Sequence, residues 1–366
     1  MEISDQAVAD ARRRDFRALF NIRHPIVQGP MNGASPPELV IAVSRAGALG
    51  SLAAALLTPE QILQTSAQIR RAMDCPFAVN LFVLPSPIPE KWDLEAALDR
   101  LETAHNRFGL PRGSMPTRFC ENFEQQLEAL LEAAPPVVSF TFGIISADAI
   151  ERFHRKKVRV IGTATTVAEA VAWESRGADA VCIQGIEAGG HRATFLGDFE
   201  QAGIGLMALL PQVRRAVAVP IIAAGGMADG RGIAASLLLG ADAAQLGTAF
   251  LVTPEAGIAP PWLDAVFSAQ SDSTRITRSF SGRYARGIVN AYMEQMRPFE
   301  ATFPPYPLQN ALTARLRRSA VEAGNADYMS LWAGQAAPLV RAMRADVLVD
   351  TLVQELDAWR AGHRSG

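Results

Sequence analysis

The chain has little of what stabilises small secreted folds or holds metals. Its 366 residues include three cysteines, Cys75, Cys120 and Cys182, scattered and without CxxC spacing, so neither a disulfide framework nor a zinc site is expected. Of the five histidines, His24, His105, His154 and His363 have no histidine or carboxylate at ligand spacing. Each reads as a surface residue, and no metal is expected. A net charge of -2 leaves no strong field to steer nucleic acid or anionic lipid. The run Arg12-Arg13-Arg14 is too short to outweigh that balance and reads as a solvated helix face. The opening Met-Glu-Ile-Ser-Asp-Gln is acidic and polar, unlike a secretory signal. Residues 233–251 are apolar but broken by Asp242, Gln245 and glycines, so no membrane span is indicated. GxSxG and GxxxxGK[ST] are missing too. The expectation is a cytoplasmic protein that binds neither nucleic acid nor membrane.

What is present is a rhythm. From Pro25 onward, a brief apolar run ends in Gly, Asn, Gln or Ser, and an alanine-rich segment of helical spacing follows. The runs cover 26–29, 48–52, 77–81, 137–140, 158–162, 180–184, 220–225 and 243–247. Apolar runs without strict alternation suit strands buried on both faces of a parallel sheet. Helices are expected over 37–46, 59–73, 123–133, 167–176, 207–216 and 230–239. Eight such strand–helix units make an α/β protein of the (β/α)8 TIM barrel class, with a doubly wound open sheet as the competing architecture. Two stretches break the rhythm. Residues 84–118 begin with Pro85, Pro87 and Pro89 and turn amphipathic over 94–101. After Leu251 the pattern stops, and 338–361 reads as a final amphipathic helix. The expected division is a barrel over 16–252 and a mostly helical C-terminal extension over 253–366 that covers the active-site end.

Chemistry in such a barrel belongs at the C-terminal strand ends. One strand there, Val181-Cys182-Ile183-Gln184, runs into the loop Gly185-Ile186-Glu187-Ala188-Gly189-Gly190-His191-Arg192. Glycines let backbone N–H groups approach a ligand, and His191 is a candidate acid or base. Cys182 reads as a small buried hydrophobe. Glu187 could orient His191 or be a salt-bridge partner of the loop. Gln28 with Met31, Asn80, Ser139, Gln184 and Gln245 with Thr248 would all meet one rim, where amides can donate to and accept from a planar heterocycle. The loops Gly225-Gly226-Met227 and Gly247-Thr248 follow the last two strands, the usual place for a phosphate site in a barrel.

These residues resemble the nitronate monooxygenases, formerly called 2-nitropropane dioxygenases, which are FMN-dependent TIM barrels. The resemblance extends from about Pro25 to Gln335. It is carried by Pro25-Ile26-Val27-Gln28-Gly29-Pro30-Met31, Gly47-Ala48-Leu49-Gly50, Pro76-Phe77-Ala78-Val79-Asn80-Leu81-Phe82, Val138-Ser139-Phe140-Thr141-Phe142-Gly143, and the loop from Gln184 to His191. It implies FMN as cofactor, held by Pro30, Met31, Asn80, Gln184, Gly189, Gly190, Gly225, Gly226, Gln245, Leu246, Gly247, Thr248 and Gln335. It also implies His191 as the base, with Asn32, Phe142 and Tyr306 on the substrate side and Trp332 near the flavin end. The implied partners are a small nitronate or nitroalkane and O2, with carbonyl compound and nitrite as products.

Related barrels reduce enoyl thioesters or quinones with NAD(P)H, and that activity is the alternative; a flavin binder without turnover is the third reading. The segments Thr277–Arg283, Tyr306–Thr313 and Ser330–Gln335 resemble the nitronate monooxygenase pattern instead. The sequence departs from many relatives at Gly29, Asn32, Thr141 and Ala193, and Asn32 bears on substrate preference if its loop meets the flavin. A large apolar extension is compatible with a homodimer.

Overall fold

A computed structural model describes residues 15–84, 94–114, 116 and 118–362. Arg12, Arg13, Arg14, Pro85, Pro87, Pro89 and His363 lie outside the described residues. The expected strands all form: β1 (Ile26–Gln28), β2 (Gly50–Ala53), β3 (Phe77–Phe82), β4 (Val137–Thr141), β5 (Arg159–Ala164), β6 (Ala180–Gln184), then, after a two-residue strand β7 (Gly190–His191), β8 (Ile221–Ala224) and β9 (Ala243–Leu246). Eight of them pair in parallel in the order β1-β9-β8-β6-β5-β4-β3-β2. A parallel bridge between Val27 and Leu49 closes the ends, with Leu49 N donating to Ile26 O at 2.9 Å and Gln28 N to Leu49 O at 2.9 Å. The fold is a (β/α)8 TIM barrel, not an open sheet.

Two apolar layers follow from the period-two alternation of strand side chains. Outward residues such as Val79, Leu81, Phe140, Val160, Val181 and Ile221 join the surrounding helices in one core. Inward residues such as Val27, Leu49, Ala78, Ile161, Cys182 and Ile222 form a second, inside the barrel. Phe16 and Phe20 on the helix Phe16–Phe20 belong to that inner core, with ring centroids 4.6 Å apart. They plug one end of the barrel. Asp15 starts this helix by accepting a hydrogen bond from Arg17 N.

The surrounding helices include Pro37–Arg45, Pro59–Ala72, Phe123–Ala133, Val167–Arg176, Leu206–Ala216 and Gly230–Leu238, as expected, and Ala147–Arg155, which was not. That last helix buries Ala149, Ile150 and Phe153 on one face of an otherwise charged segment, and Ser146 caps it by accepting from Ala149 N. After β9 there is only the short helix Thr248–Leu251, and the chain leaves the barrel. It returns as Ala345–Gly362, which packs against both Gly230–Leu238 and Pro37–Arg45 and so fills the remaining gap in the ring. This helix begins later than the amphipathic pattern at 338 indicated, because Pro338 sits in a 3-10 turn and Val340 is extended. No helix among the described residues is long and apolar enough to cross a membrane.

Between these points the chain builds a separate core that includes Phe280, Tyr292, Met293, Phe303 and Leu316, together with Leu98 and Leu101 of the helix Leu94–Arg107. Strands β10 (Thr274–Thr277) and β11 (Ala285–Ile288) lie here, and β11 pairs antiparallel with β7. His105 departs from its expected surface position. It is 1% exposed, both ring nitrogens lack partners among the described residues, and burial lowers its pKa. His154 is partly exposed and bonded to Asp179 at 2.8 Å.

The plug gives a stability prediction. Phe20→Ala is expected to cost about 3 kcal/mol or more in guanidinium denaturation, whereas Ala18→Ser, on the exposed face of the same helix, changes it by less than about 0.5 kcal/mol.

Candidate active site

Strand alternation builds the site. A cavity of about 250 Å³ opens at the C-terminal strand ends, lined by residues spaced two apart: Leu49 and Ser51, Ala78 and Asn80, Ile161 and Thr163, Cys182 and Gln184. In each pair the first residue gives an apolar floor and the second a polar rim. Ser51 and Thr163 were not singled out from sequence, although the period that marks Asn80 also reaches them. Burial pushes the Cys182 thiol up to about 12, so it acts as part of that floor.

The rim amides differ in what they have left to offer. Asn80 Nδ2 donates to Ser139 Oγ at 2.9 Å and Thr141 Oγ1 at 3.2 Å. Asn32 Oδ1 is buried without a partner among the described residues, and Gln245 lines the same cavity. A buried carbonyl oxygen left bare is costly, which makes Asn32 a natural ligand contact. Gln184 is already committed: Oε1 accepts from Arg192 Nη1 and Ala193 N, both at 3.0 Å, and Nε2 donates to His191 O at 2.9 Å. Its amide shapes the loop as well as lining the cavity. Gln28 does not reach the cavity; it is fully buried, accepting from Ser51 N at 2.8 Å and donating to Ser35 Oγ at 2.9 Å.

Backbone supplies the second part. Gly225 and Gly226 hold φ of 119° and 71°, conformations that side-chain-bearing residues rarely adopt, and both line the cavity with Gly247 and Thr248. Thr248 Oγ1 accepts from Gly334 N at 2.9 Å, so its own proton remains to be donated. A Cβ on Gly189 would stand 2.5 Å from Gly334 N. That contact brings segment 330–336 down onto the glycine loop, and Gln335 N donates to Glu187 O at 3.0 Å.

His191 is the centre of the third part. Its ring lies among four aromatic rings, with centroid distances of 5.4 Å to Trp332, 5.6 Å to Phe142, 5.8 Å to Tyr306 and 6.1 Å to Phe82. Phe142 faces it from a left-handed backbone (φ 79°), a strained conformation for an aromatic residue. Arg283 stacks over Phe142 at 3.9 Å and donates through Nε to Arg192 O at 2.9 Å. His191 Nε2 lies 2.8 Å from Ser281 Oγ. Ser281 gives its own proton to Arg283 O at 3.1 Å, so it accepts from His191 Nε2–H. The tautomer that results leaves Nδ1 with the lone pair.

Burial and the nearby charges of Arg283 and Arg317 lower the His191 pKa from its ordinary 6.5 to about 3. Arg283 itself, lowered by burial to about 10, remains charged at neutral pH. A near-neutral imidazole pKa, the natural expectation for a general base, is therefore not what this pocket produces by itself.

Most residues singled out from sequence converge here. Pro30, Met31, Asn32, Asn80 and Gln184 line the cavity, as do Gly189, Gly190 and His191, then Gly225, Gly226, Gln245, Gly247 and Thr248, and Tyr306. Three do not. Leu246 is 1% exposed and points to the barrel helices, because it alternates with the inward Gln245. Gln335 is exposed, and only its backbone N–H ties it to the loop. Phe142 packs in a cluster with Phe82 and Tyr306 instead of forming cavity wall. Among the described residues, Glu187 neither bonds His191 nor makes a salt bridge. Its carboxylate accepts from Leu206 N at 2.9 Å and 3.1 Å, at the start of the helix Leu206–Ala216. Ser281, Asn310 and Arg317 were missed, because they come from the extension, where no strand period marks an inward position.

The depressed His191 pKa has a sign. Between about 3 and 6.5 the unfolded chain binds the proton and the folded chain does not, so this contribution is complete above 6.5 and is lost as pH falls toward 3. Replacing His191 by Asn is expected to flatten the loss of unfolding free energy between pH 7 and pH 5. An unchanged slope, or an imidazole that titrates near 6.5 by NMR in the ligand-free protein, would contradict the assignment.

Comparison with known proteins agrees with this geometry. Residues 13–355 match the family described as nitronate monooxygenase. A probable nitronate monooxygenase of Staphylococcus saprophyticus is 39% identical over 342 residues, covering 92% of this chain and 96% of that protein. The crystal structure of a nitroalkane oxidase from Streptomyces ansochromogenes superposes with a TM-score of 0.88 at 40% identity, covering 95% of this chain and 99% of the other. FabK from Thermotoga maritima is more distant, with a TM-score of 0.74 at 27% identity over 95% and 97% of the two chains. The chain is an oxidoreductase and belongs to the nitronate monooxygenase family.

Proposed function

We propose that the protein is a cytoplasmic, FMN-dependent monooxygenase that oxidises small nitronates, and neutral nitroalkanes, with O2 to a carbonyl compound and nitrite. The observation that carries this reading is His191 in its aromatic enclosure at the mouth of a cavity whose amides and glycine backbone still have hydrogen bonds to give. Such a set fits a flavin with its phosphate: Asn32, Asn80 and Gln245 for the edge of a planar ring, Gly226, Gly247 and the Thr248 hydroxyl for the anionic end. When bound, FMN supplies the electron transfer between substrate and oxygen.

The chain's own residues do the rest. Phe82, Phe142, Tyr306 and Trp332 exclude water from the imidazole, and Phe82, Tyr306 and Trp332, which line the cavity, give an apolar seat for the carbon chain of the substrate. Ser281 keeps the proton on Nε2, so Nδ1 is the atom that removes a proton alpha to a nitro group. With its pKa held near 3, that imidazole is a weak base until an anion beside it stabilises the imidazolium. A nitronate arrives already deprotonated and makes no such demand. We assign cofactor binding to residues 16–252 and the substrate-side cover to 253–366, and a homodimer is compatible with that cover.

Two experiments test the reading. Anaerobic addition of propionate 3-nitronate to the purified yellow protein is expected to bleach the flavin, and NADH is not. Bleaching by NADH alone would favour an NAD(P)H-dependent reductase, and bleaching by neither would favour a binder. His191→Asn is expected to lower turnover of neutral nitroalkanes by about 10²–10⁴-fold while sparing preformed nitronates to within about tenfold. Equal loss on both substrates would remove the proton-abstraction role.

A further inference from the structure

Arg317 is the one formally charged side chain among the described residues that line the cavity, and no carboxylate lines it. It projects from the helix Ala314–Glu322, and its guanidinium is held on one side only. Nε donates to Thr313 Oγ1 at 3.2 Å, and Nη2 donates to Asn310 O at 2.8 Å and Asn310 Oδ1 at 2.9 Å. All of these partners are neutral, and Nη1 takes no bond among the described residues. Other cations near the site have acidic company: Arg192 feels Glu169 and Glu187, Arg286 feels Glu187, and Arg275 approaches Glu294 at 3.6 Å and Glu300 at 3.8 Å. A buried cation without a counter-charge is unfavourable unless a ligand brings one.

The position of the charge narrows what that ligand is. Arg317 acts electrostatically on both His191 and Tyr306, so it belongs to the aromatic end of the cavity. The glycine loops suited to a cofactor phosphate leave β8 and β9, whereas Arg317, Asn310 and Tyr306 all come from the extension. With Nε and Nη2 engaged by Thr313 and Asn310, the two N–H groups of Nη1 remain to meet an anionic oxygen in charge-assisted hydrogen bonds.

We infer that Arg317 recognises a planar oxyanion of the substrate, either the O–N–O of a nitronate or the O–C–O of a carboxylate carried on it, and thereby selects anionic over neutral nitro compounds. This rests on the proposed reaction, but its first test needs no turnover. Calorimetric titration with propionate, and with propionamide as the neutral isostere, is made on the purified protein and on Arg317→Gln and Arg317→Lys. Propionate affinity is expected to fall about tenfold or more in Arg317→Gln and less in Arg317→Lys, with propionamide unchanged throughout.

Steady-state kinetics then separate the two sources of the oxyanion. A raised KM for ethyl nitronate, with kcat held, identifies the nitronate head as the group gripped. A raised KM for propionate 3-nitronate alone identifies the carboxylate. Undiminished propionate affinity and unchanged KM values in Arg317→Gln, with flavin content and melting temperature retained, would overturn the inference. If Arg317→Gln does not fold, unchanged values in Arg317→Lys, which keeps the charge but loses the guanidinium anchored by Thr313 and Asn310, would overturn it equally. Arg317-dependent propionate binding in a protein that never oxidises nitronates would instead sink the proposed reaction and leave the anion site standing.

Discussion

The antiparallel pairing of Gly190–His191 with Ala285–Arg286 is the contact on which the site depends. Without it the loop after β6 would be a glycine-rich excursion with many accessible conformations. With it, the backbone of His191 becomes the edge of a three-stranded sheet, and Arg192 N adds a further bond to Tyr284 O at 2.8 Å. Chain from far along the sequence thus sets the position of an imidazole that grows out of the barrel. The same extension supplies Ser281, which sets the imidazole tautomer, and Tyr306 and Trp332, which help enclose it. Barrel and extension make one site because each contributes hydrogen bonds the other lacks.

Around that pairing, buried polar groups are satisfied in a way that rigidifies the loop. Arg192 is 1% exposed and donates to Gln184 O, Gly185 O and Ala202 O. Glu169, fully buried, accepts from Thr165 N at 2.6 Å, Thr165 Oγ1 at 2.7 Å and Leu196 N at 2.8 Å, and from Phe195 N. Apart from Arg192 Nε, which has no partner among the described residues, the network is paired and fixes the geometry of the loop. Asn32 Oδ1 and Arg317 Nη1 have no partner among the described residues, and both residues line the cavity.

The chain also completes its own scaffold late. The helix Ala345–Gly362 fills the ring position that follows β9, and Glu355 on it accepts from Gly230 N at 2.8 Å. The extension is thereby anchored at both ends. It leaves the barrel at the cavity rim and is tied back into the outer ring, so its core around Tyr292, Phe303 and Leu316 cannot drift from the cavity it borders.

The sequence by itself determined the repeated strand–helix units, because each strand is a local apolar run that ends where the next helix begins, while closure into a barrel was decided by the bridge between Val27 and Leu49. It also determined the inward amides Asn80, Gln184 and Gln245 and the glycine loops, since residue spacing along a strand fixes which face each side chain takes. It misplaced Gln28 by treating a strand end as rim without applying that alternation strictly, and it left Glu187 undecided because its partner, Leu206 N, is a helix start nineteen residues away. Only the tertiary structure decided the rest. Whether His191 is neutral, which of its nitrogens is free, and that Arg317 lines the cavity with no carboxylate beside it among the described residues all depend on burial and on groups brought in from the extension. Those are properties of the packed neighbourhood, where desolvation and long-range contacts act, and no local pattern encodes them.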